Sequence, residues 1–330
     1  PNGSDGTPSV QAEIEPGESF DYTFHADDAG TFWYHPHVRS DEQVERGLYG
    51  VVRVREDAET PVNADRTFVL DDVKLEASGE LSSETSPLDV MLGRQGNVIL
   101  ANGARGGQLT VRKGARERWR FVNSANGRYF NLRLQRHEFQ VIGWDGGLLA
   151  EPYTTETLLI APGERYEILV TIDEGEGTKL KLETLHYDRG HNVPDPGPKL
   201  VFTALVEGKA SRVEALPDTF GEPIDLPVSE DALERSIELA EEERHDGEFP
   251  RFFINGQAFP EVPTIEAQPG DTEIWRIDNV SEMDHPFHLH GMFFKVLDVD
   301  GVPPEHEGWK DTVNIPKKQT LRFAVRYGEP

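Results

Sequence analysis

Trp119-Arg120-Phe121-Val122-Asn123 returns at positions 275–279 as Trp275-Arg276-Ile277-Asp278-Asn279. Further along, Phe139-Gln140-Val141-Ile142-Gly143-Trp144-Asp145-Gly146 returns as Phe294-Lys295-Val296-Leu297-Asp298-Val299-Asp300-Gly301, with the order kept and the spacing agreeing within one residue. A third element occurs three times, over 15–24 (Glu15 to Phe24), 161–170 (Ala161 to Val170) and 316–325 (Pro316 to Val325). Each copy reads as a turn followed by an alternating strand. An Asp-Gly pair stands ahead of every copy, at Asp5-Gly6, Asp145-Gly146 and Asp300-Gly301. Self-similarity of this kind fixes architecture before any motif is read. It predicts an all-β chain of three tandem Greek-key β-sandwich copies, the first and last of them shortened.

Boundaries follow from the copies and from composition. The first unit is expected over 1–57, the second over 58–212 and the third over 213–330, with linkers at Glu59-Thr60-Pro61-Val62-Asn63 and in the proline- and acid-rich stretch from Ser211 to Pro227. Residues 229–243 fit either a short helix or a strand around Ser236–Ala240. The strand is favoured because the third copy needs one there.

Composition narrows the function. The chain has 330 residues, enough for two or three domains of ordinary size, and its 31 glycines and 23 prolines are spread between short apolar runs, as in a β-rich protein. Its 60 acidic against 33 basic residues leave a net charge of −27, which repels nucleic-acid phosphates and anionic membranes. The acid excess, with more Arg than Lys, also suits a high-salt habitat. No run is long and apolar enough to span a bilayer, and no targeting pattern is visible, although a signal preceding Pro1 is compatible with the sequence. With no cysteine there is neither disulfide nor thiolate, the redox compartment stays undetermined, and any metal must be held by histidine or carboxylate.

The histidines concentrate the chemistry. Gly30-Thr31-Phe32-Trp33-Tyr34-His35-Pro36-His37 places two imidazoles two residues apart, on one face if the strand continues, with Pro36 marking a strand edge or end. Taken alone, such a pair reads more readily as a surface or aromatic-packed pair at a strand end than as a metal site. In Asp284-His285-Pro286-Phe287-His288-Leu289-His290-Gly291 three of the chain's 11 histidines fall within six residues. His288 and His290 share strand parity while His285 faces elsewhere, so the segment can serve two metal sites. The repeat supplies a control. Asn131 and Arg133 of the second copy align with His288 and His290, so the sandwich itself does not demand histidine there. Carrying His35 onto the third copy, and His288 onto the first, places further His-x-His pairs just beyond Pro330 and just ahead of Pro1.

On these residues the chain resembles, over its whole length, the three-domain multicopper oxidases of the laccase group, which are built from cupredoxin-like sandwiches. Thr31-Phe32-Trp33-Tyr34-His35-Pro36-His37 matches the second copper motif of that family and His285-Pro286-Phe287-His288-Leu289-His290-Gly291 the third. The first and fourth motifs would fall outside this stretch. The resemblance implies that His35 and His37 each bind one of the paired type 3 coppers, His285 the type 1 copper, His288 the type 2 copper and His290 a type 3 copper. It also implies that Asp5 is an acid beside the cluster that helps deliver protons during oxygen reduction, though Asp5 reads equally well as a turn residue before Gly6. A thiolate, absent here, would complete the blue centre. His25, His137, His186, His191, His245 and His306 fall outside the motifs and are expected at surfaces or turns, with 186–191 suggesting a flexible loop on the substrate side.

The implied activity is oxidation of phenols, aromatic amines or metal ions by one electron at a time, coupled to reduction of oxygen to water. The implied partners are a small-molecule electron donor and oxygen, with no nucleic acid or membrane, and the implied location is secreted, periplasmic or otherwise extracytoplasmic. Two alternatives compete. One is a non-catalytic protein of the same fold with incomplete copper sites, which five retained histidines disfavour. The other is a copper nitrite reductase, which three copies and the pairing of two His-x-His segments disfavour. Only Met91, Met283 and Met292 are present, too few for a methionine-rich cuprous-oxidase insert.

Overall fold

The computed structural model describes residues 2–7, 10–244 and 248–328. His245 lies outside the described residues. The described residues are almost wholly β, with short helices among them only at Asn2–Ser4, Ser40–Glu45 and Pro87–Leu92.

The largest body is a sandwich of two sheets. One has six strands, in the spatial order Val98–Ala101, Ala64–Val73, Arg116–Asn123, Arg165–Thr171, Phe139–Trp144 and Gly147–Thr155. The other has five, in the order Leu158–Ile160, Phe130–Leu134, Lys179–Leu185, Lys199–Lys209 and Gly107–Lys113. Ala64–Val73 runs parallel to Arg116–Asn123, and Lys199–Lys209 runs parallel to Gly107–Lys113, while their other neighbours are antiparallel. The core between the sheets is aromatic and branched. Phe68 and Trp119 each pack against Phe121 and Phe202 and against one another, with ring centroids 4.7–6.4 Å apart, in one core with Phe130, Leu132 and Leu182. Burying each such side chain contributes roughly 1.5–3 kcal/mol.

The second sandwich repeats this plan at smaller scale. Its main sheet orders Arg251–Ile254, Glu234–Glu242, Thr272–Asn279, Thr320–Arg326 and Phe294–Val299, faced by the pair His285–His288 and Thr312–Ile315. Trp275, Phe294 and Phe323 take the places of the larger core's aromatics. The expected strand around Ser236–Ala240 is present as Glu234–Glu242. Toward the N-terminus the hairpin Gly30–Tyr34 with Gly50–Val54 forms a two-stranded sheet.

The repeated asparagine shows why the copies agree in sequence. Asn123 is buried, and its Nδ2 donates to the carbonyls of Arg128 (2.8 Å) and Ile160 (2.9 Å) while its Oδ1 accepts from Ala125 N. Asn279 does the same at Met283 O (2.9 Å), Ile315 O (3.0 Å) and Ser281 N (3.1 Å). Each asparagine ties off the loop entering the next strand, which in the second case begins at His285.

One expected strand is missing. Residues 18–24 follow a turn but form no ladder, and Phe20, Tyr22 and Phe24 are each nearly half exposed. Alternation alone does not make a strand. The segment needs a neighbour to take its N–H and C=O groups, and no strand among the described residues pairs with it. Alternation still directs Phe20 and Tyr22 to one side, with ring centroids 4.8 Å apart.

Candidate functional site

The four paired histidines gather at one place, although not by the route expected. The strand ends at Tyr34 and Pro36 keeps the chain out of the ladder, so His35 and His37 lie past the strand. Their rings nevertheless stack at 5.0 Å, with Trp33 covering His35 at 4.3 Å. Likewise the later strand stops at His288, yet the rings of His288 and His290 sit 4.7 Å apart. His37 meets His290 edge-on at 4.9 Å, joining the two pairs.

Each imidazole of the later pair is held by one nitrogen. His290 Nδ1 lies 2.7 Å from Asp5 Oδ1, and because a carboxylate can only accept, Nδ1 carries the proton and Nε2 is left free. Asp5 Oδ1, His37 and His290 also place their donor atoms within 4.8 Å of one another. His288 Nδ1 lies 2.9 Å from Asp311 O and 3.0 Å from Thr312 Oγ1. Thr312 Oγ1 donates to Asp311 Oδ1, so it accepts from His288, again leaving Nε2 free. Such outer hydrogen bonds orient imidazoles toward a metal.

The electrostatics favour neutral rings. Burial lowers the pKa of His35, and the nearby His37, His290 and His288 lower it further. His37 is lowered by burial and by His290, opposed by Asp5. His288 is lowered chiefly by desolvation, although 40% of its side-chain surface is accessible. One ring face opens on a cleft while the protein around it hydrates a charge poorly. Neutral imidazole is the form that binds metal. The cleft, of about 760 Å³, reaches from His35, His288 and Thr312 outward between the segments 40–46 and 81–94.

His285 stands apart. Its Nε2 lies 2.7 Å from Ser281 Oγ, its ring meets Phe252 edge-on at 6.0 Å, and burial with the nearby Arg189 pushes it down to about 4. Nδ1 is the nitrogen left for a ligand. The segment 186–191, expected as a loop on the substrate side, is anchored at Tyr187, Arg189 and Gly190. Arg189 is buried, donates to Asp284 O (2.9 Å) and stacks over Tyr129, while Gly190 bridges Met283. The hydroxyl of Tyr187 donates to Asp284. His191 is not a plain surface residue either, since its two nitrogens face Glu241 (3.2 Å) and Glu243 (2.9 Å). His306 stacks on Tyr153 at 3.6 Å, His137 is half-buried in a turn, and His25 is exposed.

Sequence reading missed the buried charges behind this site. Arg118, Arg120, Arg165 and Glu167 sit on the six-stranded sheet facing away from its aromatic core, a face that alternation assigns to solvent. The hairpin 30–54 covers it instead, with Thr31 Oγ1 donating to Glu167 at 2.6 Å and Arg120 reaching Thr31 Oγ1 at 3.0 Å. The visible signal was four charged residues on two strands that pair in register.

The arrangement is that of cupredoxin-like sandwiches with an imidazole cluster where the segment after the N-terminal hairpin meets the second sandwich. Comparison with known proteins gives the family. Sequence profiles described as multicopper oxidase match residues 1–59, 70–178 and 233–330. "Multicopper oxidase mco" of Staphylococcus haemolyticus is 28% identical over 337 residues, covering 97% of this chain and 67% of the relative. "Laccase" of Bacillus subtilis is 25% identical over 335 residues, covering 90% and 65%. Among solved structures, a multicopper oxidase from Campylobacter jejuni, titled a metallo-oxidase, superposes with a TM-score of 0.84 at 27% identity, over 99% of this chain and 72% of that one. The chain belongs to the multicopper oxidase family, whose members are copper-dependent oxidoreductases, and it spans about two thirds of the length of these curated relatives.

Proposed function

We propose that this chain carries the central part of a laccase-like oxidase. It would take single electrons from phenols, aromatic amines or metal ions and deliver them to oxygen, which leaves as water. The observation that carries the reading is the meeting of His35 and His37 with His288 and His290, from opposite ends of the chain, with Nε2 of the later pair free. All-imidazole donors, with burial lowering the pKa of His35, His37 and His288, suit copper in both oxidation states.

In this reading His35 and His37 serve one type 3 copper each, His290 also serves a type 3 copper, and His288 serves the type 2 copper. His285, set apart and with Nδ1 available, serves the type 1 copper. Copper supplies reversible one-electron chemistry when bound. The chain's own residues orient the rings, favour the neutral form of His35, His37 and His288, and cover His35 on its Trp33 side. Asp5, hydrogen-bonded to His290 and beside His37, would in this reading help deliver protons during oxygen reduction. The cleft past His35 and His288 supports entry of small molecules. Unit boundaries at 57 and 212 belong to the same reading, with residues 58–212 a copper-free spacer between the other two. An extracytoplasmic location rests on the family resemblance, and no helix among the described residues is long and apolar enough to cross a membrane.

Two double variants test the site. His288→Ala with His290→Ala should remove bound copper from the chain, measured by metal analysis after copper loading and dialysis. Asn131→Ala with Arg133→Ala should leave it unchanged. Arg133 makes only an exposed 3.3 Å pair with Glu183, worth about 0–1 kcal/mol. Equal loss in both, or in neither, sinks the assignment.

A further inference from the structure

Arg165 is 3% exposed and uses every donor it has. A guanidinium offers five N–H groups in a rigid planar fork. Nε donates to Thr31 O at 3.1 Å. Nη1 donates to Gly163 O at 3.2 Å and to Asp311 Oδ1 at 2.6 Å. Nη2 donates to Asp145 O at 2.9 Å and to Asp311 Oδ2 at 2.6 Å.

These partners belong to three different parts of the molecule. Thr31 lies on the strand that runs straight into His35 and His37. Asp311 carries the carbonyl that holds His288 Nδ1 at 2.9 Å. Gly163 and Asp145 belong to the large sandwich, which fixes the arginine itself. The fork is bidentate on Asp311, so it sets the angle of that carboxylate as well as its distance.

We propose that Arg165 is a positioning residue for the histidine cluster. It sets the separation of the His35–His37 and His288–His290 pairs, and through Asp311 it holds His288 in the Nδ1–H form with Nε2 presented to a ligand. The proposal rests on the copper reading above only for what the histidines are used for. Lysine cannot replace arginine here, because one ammonium with three donors cannot reach both oxygens of Asp311 and three carbonyls.

The test uses the full chain and two readouts. In the copper-free protein, imidazole ¹⁵N–¹H correlation spectra should show His288 as a single Nδ1–H tautomer, and Arg165→Lys should turn it into a mixture. Titration with Cu²⁺ should show affinity falling by about ten-fold or more in that variant, the usual scale for loss of an outer hydrogen bond to a metal-ligating histidine. Arg235→Lys, which alters a pair with Glu273 on the outer sheet, serves as the control and should move neither readout. If Arg165→Lys does not fold, Asp311→Asn breaks the same fork and should give the same tautomer mixture and loss. A folded Arg165→Lys with wild-type His288 spectra and wild-type copper affinity overturns the proposal. If the parent takes up no copper while the tautomer still shifts, Arg165 keeps its role and the copper reading of the site falls.

Discussion

Replacing Asn279 with alanine should destabilise the third unit by about 2–5 kcal/mol. The figure follows from its hydrogen bonds. Without the amide, Ile315 O and Ser281 N lose their Asn279 partner, whereas Met283 O keeps the hydroxyl of Ser281 at 3.1 Å. Two buried groups are thus left open, at about 1–3 kcal/mol each, with some recovery by relaxation. Asn123→Ala exposes the same weakness in the second unit at Arg128 O, Ile160 O and Ala125 N, so a cost of about 3–5 kcal/mol is expected there. Urea unfolding followed by tryptophan fluorescence measures both, because Trp119 and Trp275 report on separate cores. The two variants should differ at His285. Ser281 Oγ contacts both Asn279 and His285, so the His285 imidazole resonances should move in the Asn279 variant and stay fixed in the Asn123 variant. A cost below about 1 kcal/mol in both variants would refute the idea that this repeated residue is the tie of the fold, as would equal shifts of His285.

The remaining predictions are shorter. Acid should loosen the third unit. His285 falls from 6.5 to about 4 on folding, so the native state favours the neutral ring. That contribution, on the order of 3 kcal/mol, is complete above pH 6.5 and is lost as pH falls toward 4. A His285→Gln variant should flatten the stability profile across that window, and an unchanged slope would show that other groups carry it. Copper added to this chain should produce no intense blue band, because the charge-transfer colour of a type 1 centre needs a thiolate and the chain has no cysteine. A visible-absorption titration checks this directly.

The fold was legible where sequence repeats meet a strand period. Trp119 and Trp275, Phe121 and Ile277, and the two asparagines all occupy matching places in matching strands. The acidic stretch at 234–242 could be read as a strand because the repeat required one, since its own residues do not decide the matter. The repeat itself misled at Phe20–Phe24: its other two copies form the strands Arg165–Thr171 and Thr320–Arg326, whereas no described strand pairs with this one. The histidine pairs were legible as pairs, but parity was the wrong reason for their closeness. Both lie partly or wholly beyond their strands, and Asp5 and Asp311, distant in sequence, fix the later two. Buried charges were the least legible. Arg165 reads as the solvent face of a strand because covering by another unit is a tertiary fact that no local pattern carries.

That last point bears on why a sandwich lacking ligand histidines sits in the middle at all. Its five-stranded sheet ends near Tyr129, which donates to Asn314 at 2.8 Å, and its 187–190 segment grips Asp284, beside His285. Its other sheet presents Arg165 to Asp311, beside His288, and to Thr31, upstream of His35. Every proposed ligand segment of this chain therefore has a contact with the middle unit within a few residues. The middle unit has the larger buried core. In the proposed reading its own counterpart positions can hold Asn131 and Arg133 without loss, because its part would be to aim imidazoles carried by its neighbours.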